Sequence, residues 1–191
     1  TQPSRLETLI EAAPDLPEAA LARAEKLVKR LSNSRLTKYN LPDTETLPNI
    51  PPGRRILVPG QVEDDASIPR GAGDVRTNRA LLQATRDANP AAIILYKPHP
   101  DVEAGLRDGV VADAHALADV VLDNVGAVAA LDLVDDVWTM TSTLGFEALL
   151  RGKRVTCLGL PFYAGWGLTD DRCMPEPRRA ALPDINALAH A

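Results

Sequence analysis

Cysteine is scarce in this sequence, and so are the short signatures that usually assign a function class. Cys157 and Cys173 are too few and too far apart for a disulfide scaffold or a zinc site. Cys157, inside an apolar run, reads as a buried thiol, and Cys173 falls in a polar loop. No stretch approaches the roughly 20 apolar residues that a membrane-spanning helix needs. No signal-like segment opens the chain, so a cytoplasmic protein is expected. A positive balance is missing as well. The net charge of -5 argues against a broad nucleic-acid footprint, and no nucleic-acid partner is expected. There is no Gly-x-Gly-x-x-Gly after the first strand and no Gly-Lys-Ser/Thr phosphate loop, which weighs against dinucleotide redox chemistry and nucleoside-triphosphate hydrolysis. Without a Gly-x-Ser-x-Gly elbow, a Ser-His-Asp hydrolase loses ground too.

What is present fits a soluble globular chain. The 191 residues suit one domain with an added arm, at 45% apolar and 25% charged composition. Residues 3–34 read as helical, with Ser4 and Glu7 as a capping box. Leu6, Leu9 and Ile10 share one helical face; Leu16, Ala20, Ala24, Leu27, Val28 and Leu31 form a second packing stripe. Residues 41–52, with Pro42, Pro48, Pro51 and Pro52, read as a linker. This divides the chain into an arm with linker over residues 1–50 and a core over 51–191. In the core, strands are expected at 56–58, 93–96, 120–122, 137–140 and 155–158. Helices are expected from a cap at Asp74 to about Ala88, near 127–133, and over 143–150 with Gly152 closing the last. Alternating units of this length predict an α/β fold with a parallel sheet and right-handed crossovers.

Three loops at strand ends carry the candidate chemistry. Lys97-Pro98-His99-Pro100 follows the apolar run Ala91-Ala92-Ile93-Ile94-Leu95-Tyr96 directly, at the sheet edge where ligands sit in open α/β folds. The two prolines hold His99 on extended backbone, so it loses little entropy on meeting an anion. A turn that happens to contain histidine is the plain alternative. Gly60-Gln61-Val62-Glu63-Asp64-Asp65-Ala66-Ser67 follows the first strand. Its three adjacent carboxylates suit a nucleophile, a general base or a metal ligand, and burial would raise one of their pKa values. A solvated acidic turn is the alternative. Thr141-Ser142-Thr143-Leu144-Gly145-Phe146-Glu147 sets hydroxyls among the unpaired N–H groups of a helix start, which makes an anion site or an ordinary cap. Glu147 complements the dipole of that helix. Convergence on one sheet edge gives the three loops weight together. They suit a phosphate-bearing donor beside an acid/base or nucleophilic centre.

These loops, with Ala148-Leu149-Leu150-Arg151-Gly152-Lys153 after the third, resemble the capsule polysaccharide biosynthesis/export family. Pro161-Phe162-Tyr163-Ala164-Gly165-Trp166-Gly167-Leu168-Thr169-Asp170 extends the likeness, as does Thr37-Lys38-Tyr39-Asn40 in the arm. The Phe-Tyr-Ala-Gly-Trp-Gly run is its most specific part, and the family order holds along nearly the whole chain.

The resemblance implies a Rossmann-like parallel sheet, the nucleotide-binding half of a GT-B glycosyltransferase, over residues 51–191. It implies a retaining β-Kdo transferase with CMP-Kdo as donor substrate, with no metal and no other cofactor. In that picture Lys97, His99, Thr141, Ser142 and Thr143 grip the nucleotide. Asp65 is the nucleophile, with Glu63 second. Gln61, Ser67, Tyr163 and Trp166 lie on the sugar or acceptor side, although the aromatic pair equally suits a packed turn. The implied partners are a CMP-sugar, a lipid-linked saccharide acceptor and a second Rossmann-like domain, since 191 residues hold only one. Peripheral association with the inner membrane through a capsule assembly complex fits the same picture. A non-catalytic nucleotide-sugar-binding or assembly module is the other functional class.

Overall fold

Strands covered on both faces show continuous apolar runs, and the centre of this sheet follows that rule. The computed structural model describes residues 2–38, 47–173 and 179–191. Within them the strands are β1 (Arg55–Pro59), β2 (Ile93–Lys97), β3 (Val120–Val121), β4 (Asp136–Thr139), β5 (Arg154–Cys157) and β6 (Asp170–Asp171). They form one sheet in the order β3-β2-β1-β4-β5-β6, parallel at every described pairing. Helices α1 (Arg5–Ala12), α2 (Glu18–Asn33), α3 (Ser67–Gly71), α4 (Asn78–Ala88), α5 (Pro100–Glu103), α6 (Ala114–Leu117), α7 (Ala127–Asp132), α8 (Thr143–Leu150) and α9 (Ile185–His190) connect or flank the strands. The fold is Rossmann-like.

Side-chain alternation splits the core into two layers. Leu57, Leu95, Val137 and Val155 face one side, with Ile10, Leu131, Ala148, Tyr163 and Trp166. Ile56, Val58, Ile94, Tyr96, Trp138 and Met140 face the other, against Leu81 and Leu82 of α4. Burying a side chain of this size contributes about 1.5–3 kcal/mol, so β1 alone, with Ile56, Leu57 and Val58 fully buried, anchors both layers.

The arm packs directly onto this body. Ser4 and Glu7 form the expected capping box, at 3.2 and 3.0 Å. Ile10 is fully buried, whereas Leu6 and Leu9 of the same face stay exposed. Glu7 pairs with Arg179 at 3.2 Å in a largely covered position. In α2 the stripe is buried at Ala24 and Val28, and Leu27 is exposed. Residues 41–46 of the expected linker lie outside the described residues.

The five expected strands are all present, each within a residue or two of its expected bounds. Two readings change. β6 carries no apolar run; its two aspartates pair with Thr156 and Cys157 at the sheet edge. Helix α4 starts at Asn78 with Thr77 as its cap, not at Asp74. The chain just before it is held elsewhere, because Ala72 bridges to Gly159. At the other end of the helical set, Gly152 follows α8 with φ of 71°, the left-handed residue that closes a helix.

Candidate functional site

Connections leave β1 toward β2 on one side, while β4 lies on the other. In such sheets the strands splay at this switch point and open a crevice at their carboxyl ends. A cavity of about 270 Å³ occupies it, near the lower end of ligand-site volumes. The loops after β1, β2 and β4 all line it, so the three candidate segments do meet. Gly60 explains how closely they meet. A Cβ there would lie 2.8 Å from the Tyr96 hydroxyl and 3.2 Å from the His99 backbone nitrogen. Its N–H donates to the Lys97 carbonyl at 2.7 Å, joining the first two loops.

Gln61 joins the first loop to the third. Its Nε2 donates to Thr141 Oγ1 at 2.8 Å, and its Oε1 accepts from the Thr141 N–H at 3.0 Å. Gln61 lines the cavity, but its amide is engaged as a brace between β1 and β4. Asn78, fully buried, braces the first loop from below. It accepts from the Gln61 N–H and donates to the Gln61 and Gly109 carbonyls, each at 2.8 Å. No residue pattern around Asn78 singles it out, because its partners are backbone groups of distant loops.

The acidic trio separates. Glu63 accepts from the Asn78 N–H at 2.7 Å, at the positive end of α4, and is not among the residues lining the cavity. Asp64 pairs with Arg107 at 2.7 Å. Asp65 lines the cavity beside Ser67. The expected raised carboxyl pKa is not found at Asp65. The Ser67 hydroxyl and its N–H, the latter at 2.8 Å, hold that carboxyl below its ordinary range, helped by the charges of Arg107 and Lys38. Three carboxylates with three separate partners do not press on one another. Asp65 is thus kept ionised, the form a nucleophile requires.

Lys97 ends β2 at the cavity wall and is buried. Burial holds its pKa below the ordinary lysine value, opposed by Glu103 and Asp123. Among the described residues it makes no ion pair within 4.0 Å. His99 caps α5, its Nδ1 accepting from the Asp101 N–H at 3.2 Å. Burial lowers its pKa, and Lys38, Lys97 and Arg107 push the same way while Asp101 opposes them. In the neutral ring an accepting Nδ1 leaves the proton on Nε2, so the imidazole is set as a donor.

The third loop delivers the start of α8. Ser142 Oγ accepts from the Leu144 N–H at 3.2 Å, a conventional cap. Thr141, Ser142, Thr143 and Leu144 line the cavity at the positive end of the helix. Thr141 Oγ1 also meets Ser67 Oγ at 3.2 Å, tying this loop to the Asp65 turn.

Tyr163 and Trp166 require a correction. Both are buried at 0% and 1% exposure, and neither is among the residues lining the cavity. The Tyr163 hydroxyl donates to the Ser142 carbonyl at 2.5 Å, and Trp166 Nε1 donates to the Phe162 carbonyl at 2.8 Å. Tyr163 packs against Phe146 and Phe162. A Cβ at Gly145 would collide with its ring, which is why glycine stands in the first turn of α8. The aromatic run is a packed turn that supports the helix start from behind.

Sequence reasoning missed several lining residues. Thr37, Lys38, Asp101, Arg107 and Glu147 all reach the cavity. Glu147, read as a dipole partner, accepts from the Lys38 N–H at 2.9 Å through Oε1. Its Oε2 is buried with no partner among the described residues, and burial raises its pKa. Tyr39 and Asn40, the rest of the quoted arm motif, lie outside the described residues. Among those described, no group of three or more His, Cys, Asp or Glu side chains is arranged to hold a metal.

Comparison with known proteins matches residues 26–191 to the family described as capsule polysaccharide biosynthesis protein. The capsule polysaccharide modification protein LipA of Neisseria meningitidis is 46% identical over 180 residues, covering 93% of this chain and 25% of that protein. The lipopolysaccharide-processing protein LpsZ of Rhizobium meliloti is 44% identical over 193 residues, covering 98% of this chain and 44% of its own length. Two solved structures from Thermosulfurimonas dismutans are similar along 99% of the chain. The KpsC β-Kdo 2,7 transferase has a TM-score of 0.78 at 37% identity, and the KpsC β-Kdo 2,4 transferase 0.82 at 31%. The chain spans 57% and 60% of those two, and less than half of the curated relatives.

Proposed function

The chain belongs to the capsule polysaccharide biosynthesis protein family, and from that premise we propose that it is the donor-nucleotide-binding part of a β-Kdo transferase that uses CMP-Kdo. One observation carries the reading: the His99 loop, the start of α8 and the Asp65 turn all line one cavity at the sheet's switch point. A nucleoside monophosphate ester fits what each of them offers. The phosphate takes the Nε2–H of His99 and the Thr143 N–H at the positive end of α8, with Lys97 as the buried counter-charge. No nucleoside-triphosphate loop is required for such a ligand.

In this reading the Asp65 carboxylate attacks the anomeric carbon, and CMP leaves with the bonding electrons. An acceptor hydroxyl then displaces the carboxylate and passes its proton to solvent water, so two inversions retain the configuration. Glu63 drops from second candidate to a brace of α4, because its carboxyl is spent on the Asn78 N–H. Ser67 keeps Asp65 ionised and aligned, and Gln61 spaces the two loops. The acceptor is a lipid-linked or growing saccharide, approaching from the open side of the cavity, where a second Rossmann-like domain would close the site. The setting is the cytoplasmic side of the inner membrane, where such acceptors are lipid-held. Within the described residues no helix is long and apolar enough to cross a membrane.

A nucleotide-sugar-binding module without transfer activity is the second reading, because the loops that would hold the phosphate line the cavity whether or not the Asp65 carboxylate reacts. Crystals of the chain grown with CMP test the shared part of both. Phosphate density between His99 and the Ser142–Thr143 helix start is expected, and density elsewhere or none would sink the donor-site assignment. Turnover of CMP-Kdo then separates transferase from binding module.

A further inference from the structure

Gln61 does more than space two loops, because its amide fixes the direction of the hydrogen bonds that run from β4 to the Asp65 turn. A backbone N–H can only donate. The Thr141 N–H reaches Gln61 Oε1 at 3.0 Å, and the Thr139 hydroxyl donates to the same oxygen at 3.3 Å. Gln61 Nε2, a donor only, is therefore the atom that meets Thr141 Oγ1 at 2.8 Å. Thr141 is buried, and with that contact accepted its one hydroxyl proton goes to Ser67 Oγ at 3.2 Å. Ser67 then has its own proton to give. Its hydroxyl and its N–H both serve the Asp65 carboxyl, the N–H at 2.8 Å from Oδ1. Gln61, Thr141, Ser67 and Asp65 all line the cavity.

We propose that Gln61 is a positioning residue for the nucleophile: through Thr141 and Ser67 it aligns three successive hydrogen bonds so that all of them point at the Asp65 carboxylate. The inference rests on the reading of Asp65 as nucleophile. Bonds aligned in one direction polarise one another, so Ser67 meets Asp65 as a stronger donor than a lone serine. Donors on the carboxylate hold it ionised, at a small cost to its nucleophilicity. They also receive the electron pair that returns to Asp65 when the acceptor hydroxyl breaks the sugar–carboxylate bond. A double displacement needs a group that both attacks and leaves, and a carboxylate held by aligned donors suits both steps. Reversing the Gln61 amide would undo this, since Thr141 could then accept from Ser67 and draw its proton away from Asp65.

Titration of the Asp65 carboxyl by carbon-13 NMR tests this on the free protein, its resonance being the one lost in Asp65→Asn. Arg107 and Lys38 also act on this carboxyl, and both are kept in every variant. Thr141→Val, which cuts the row of bonds, should raise the titration midpoint by about 0.3, the part of a charge-assisted bond that polarisation supplies. Thr141→Ser should restore the wild-type midpoint. Gln61→Met should raise it by a similar amount on its own and leave it unmoved when Thr141→Val is already present. An unmoved midpoint in Thr141→Val overturns the inference. So does a Gln61→Met rise that persists without the Thr141 hydroxyl, because a residue that only spaces the loops would act in either background. Failure of the underlying reading shows separately: Kdo transfer retained by Asp65→Asn removes the nucleophile and leaves these midpoints as they are.

Discussion

The two ends of the sheet treat charge in opposite ways. At the amino end, Asp136 opens β4 almost fully buried, and two arginines close on it: Arg54 Nε at 2.5 Å and Arg154 Nε at 2.6 Å. Arg54 also reaches Asn89 at 3.1 Å, and the neighbouring Arg86–Asp119 pair stands at 2.6 Å while Asp119 accepts from the Ile94 N–H at 2.7 Å. Charges there answer one another. At the carboxyl end, Lys97 is buried like Asp136 yet has no ion-pair partner among the described residues, and burial, helped by the cations nearby, pushes His99 down in pKa. A fold that answers its buried charge at one end and leaves the buried Lys97 ammonium without an ion pair at the cavity wall of the other suits an anionic ligand at the second.

Breaking the carboxyl end should have the larger effect, and on activity alone. Asp65 is exposed and supports its own turn, so Asp65→Asn should leave the fold and CMP affinity unchanged. Kdo transfer should fall by about 10⁴-fold or more, since removing a nucleophile costs up to about 10⁶-fold. Retained transfer in a steady-state assay would take the role away from Asp65. Because its carboxyl pKa is held low, the wild-type acid limb should come from another group. At the amino end the reverse holds. Asp136→Ala leaves two arginines without their carboxylate, but both keep access to water, so the cost is about 2 kcal/mol and not the full penalty of a buried orphan charge. For a chain of this size that lowers Tm by about 4–8 °C, with CMP binding intact. A change in CMP affinity would mean that the two ends are coupled.

The sequence revealed most of the fold, and for a physical reason. The central strands bury both faces, so Ile56-Leu57-Val58 and Ile93-Ile94-Leu95 stand out as runs without any partner information. β6 has no such mark, since a two-residue edge strand of aspartates is defined only by its register with β5. Helix α4 was placed too early because Asp74 is as good a cap by type as Thr77, and only the Ala72–Gly159 bridge decides between them. The site divides in the same way. Loops adjoining apolar strands announced themselves. Lys38 stood out only within the arm motif of the family likeness and not as a site residue, and Arg107 not at all, because tertiary packing brings both from distant segments. Tyr163 and Trp166 carried a true signal whose meaning was packing: a rigid turn needs aromatic bulk behind it as much as a sugar site needs it in front.

The smallest expected effect sharpens the comparison most, because its sign differs from the others. Burial holds the Lys97 pKa below its ordinary value, so charging this amine costs the folded state more than the unfolded one. That cost is full at neutral pH and fades as pH rises through the folded pKa toward the unfolded value near 10.4. Lys97→Met keeps the stem and removes the charge. At pH 7 it should stabilise the protein by about 1 kcal/mol, a gain of about 2–4 °C in Tm, while weakening CMP binding. The stability gain should shrink to nothing as thermal melts are repeated toward pH 10. A variant that loses both stability and binding at pH 7 would mean that the Lys97 charge is satisfied within the fold, as Asp136 is. A variant that gains the first and loses the second would identify Lys97 as a charge the fold tolerates for its ligand.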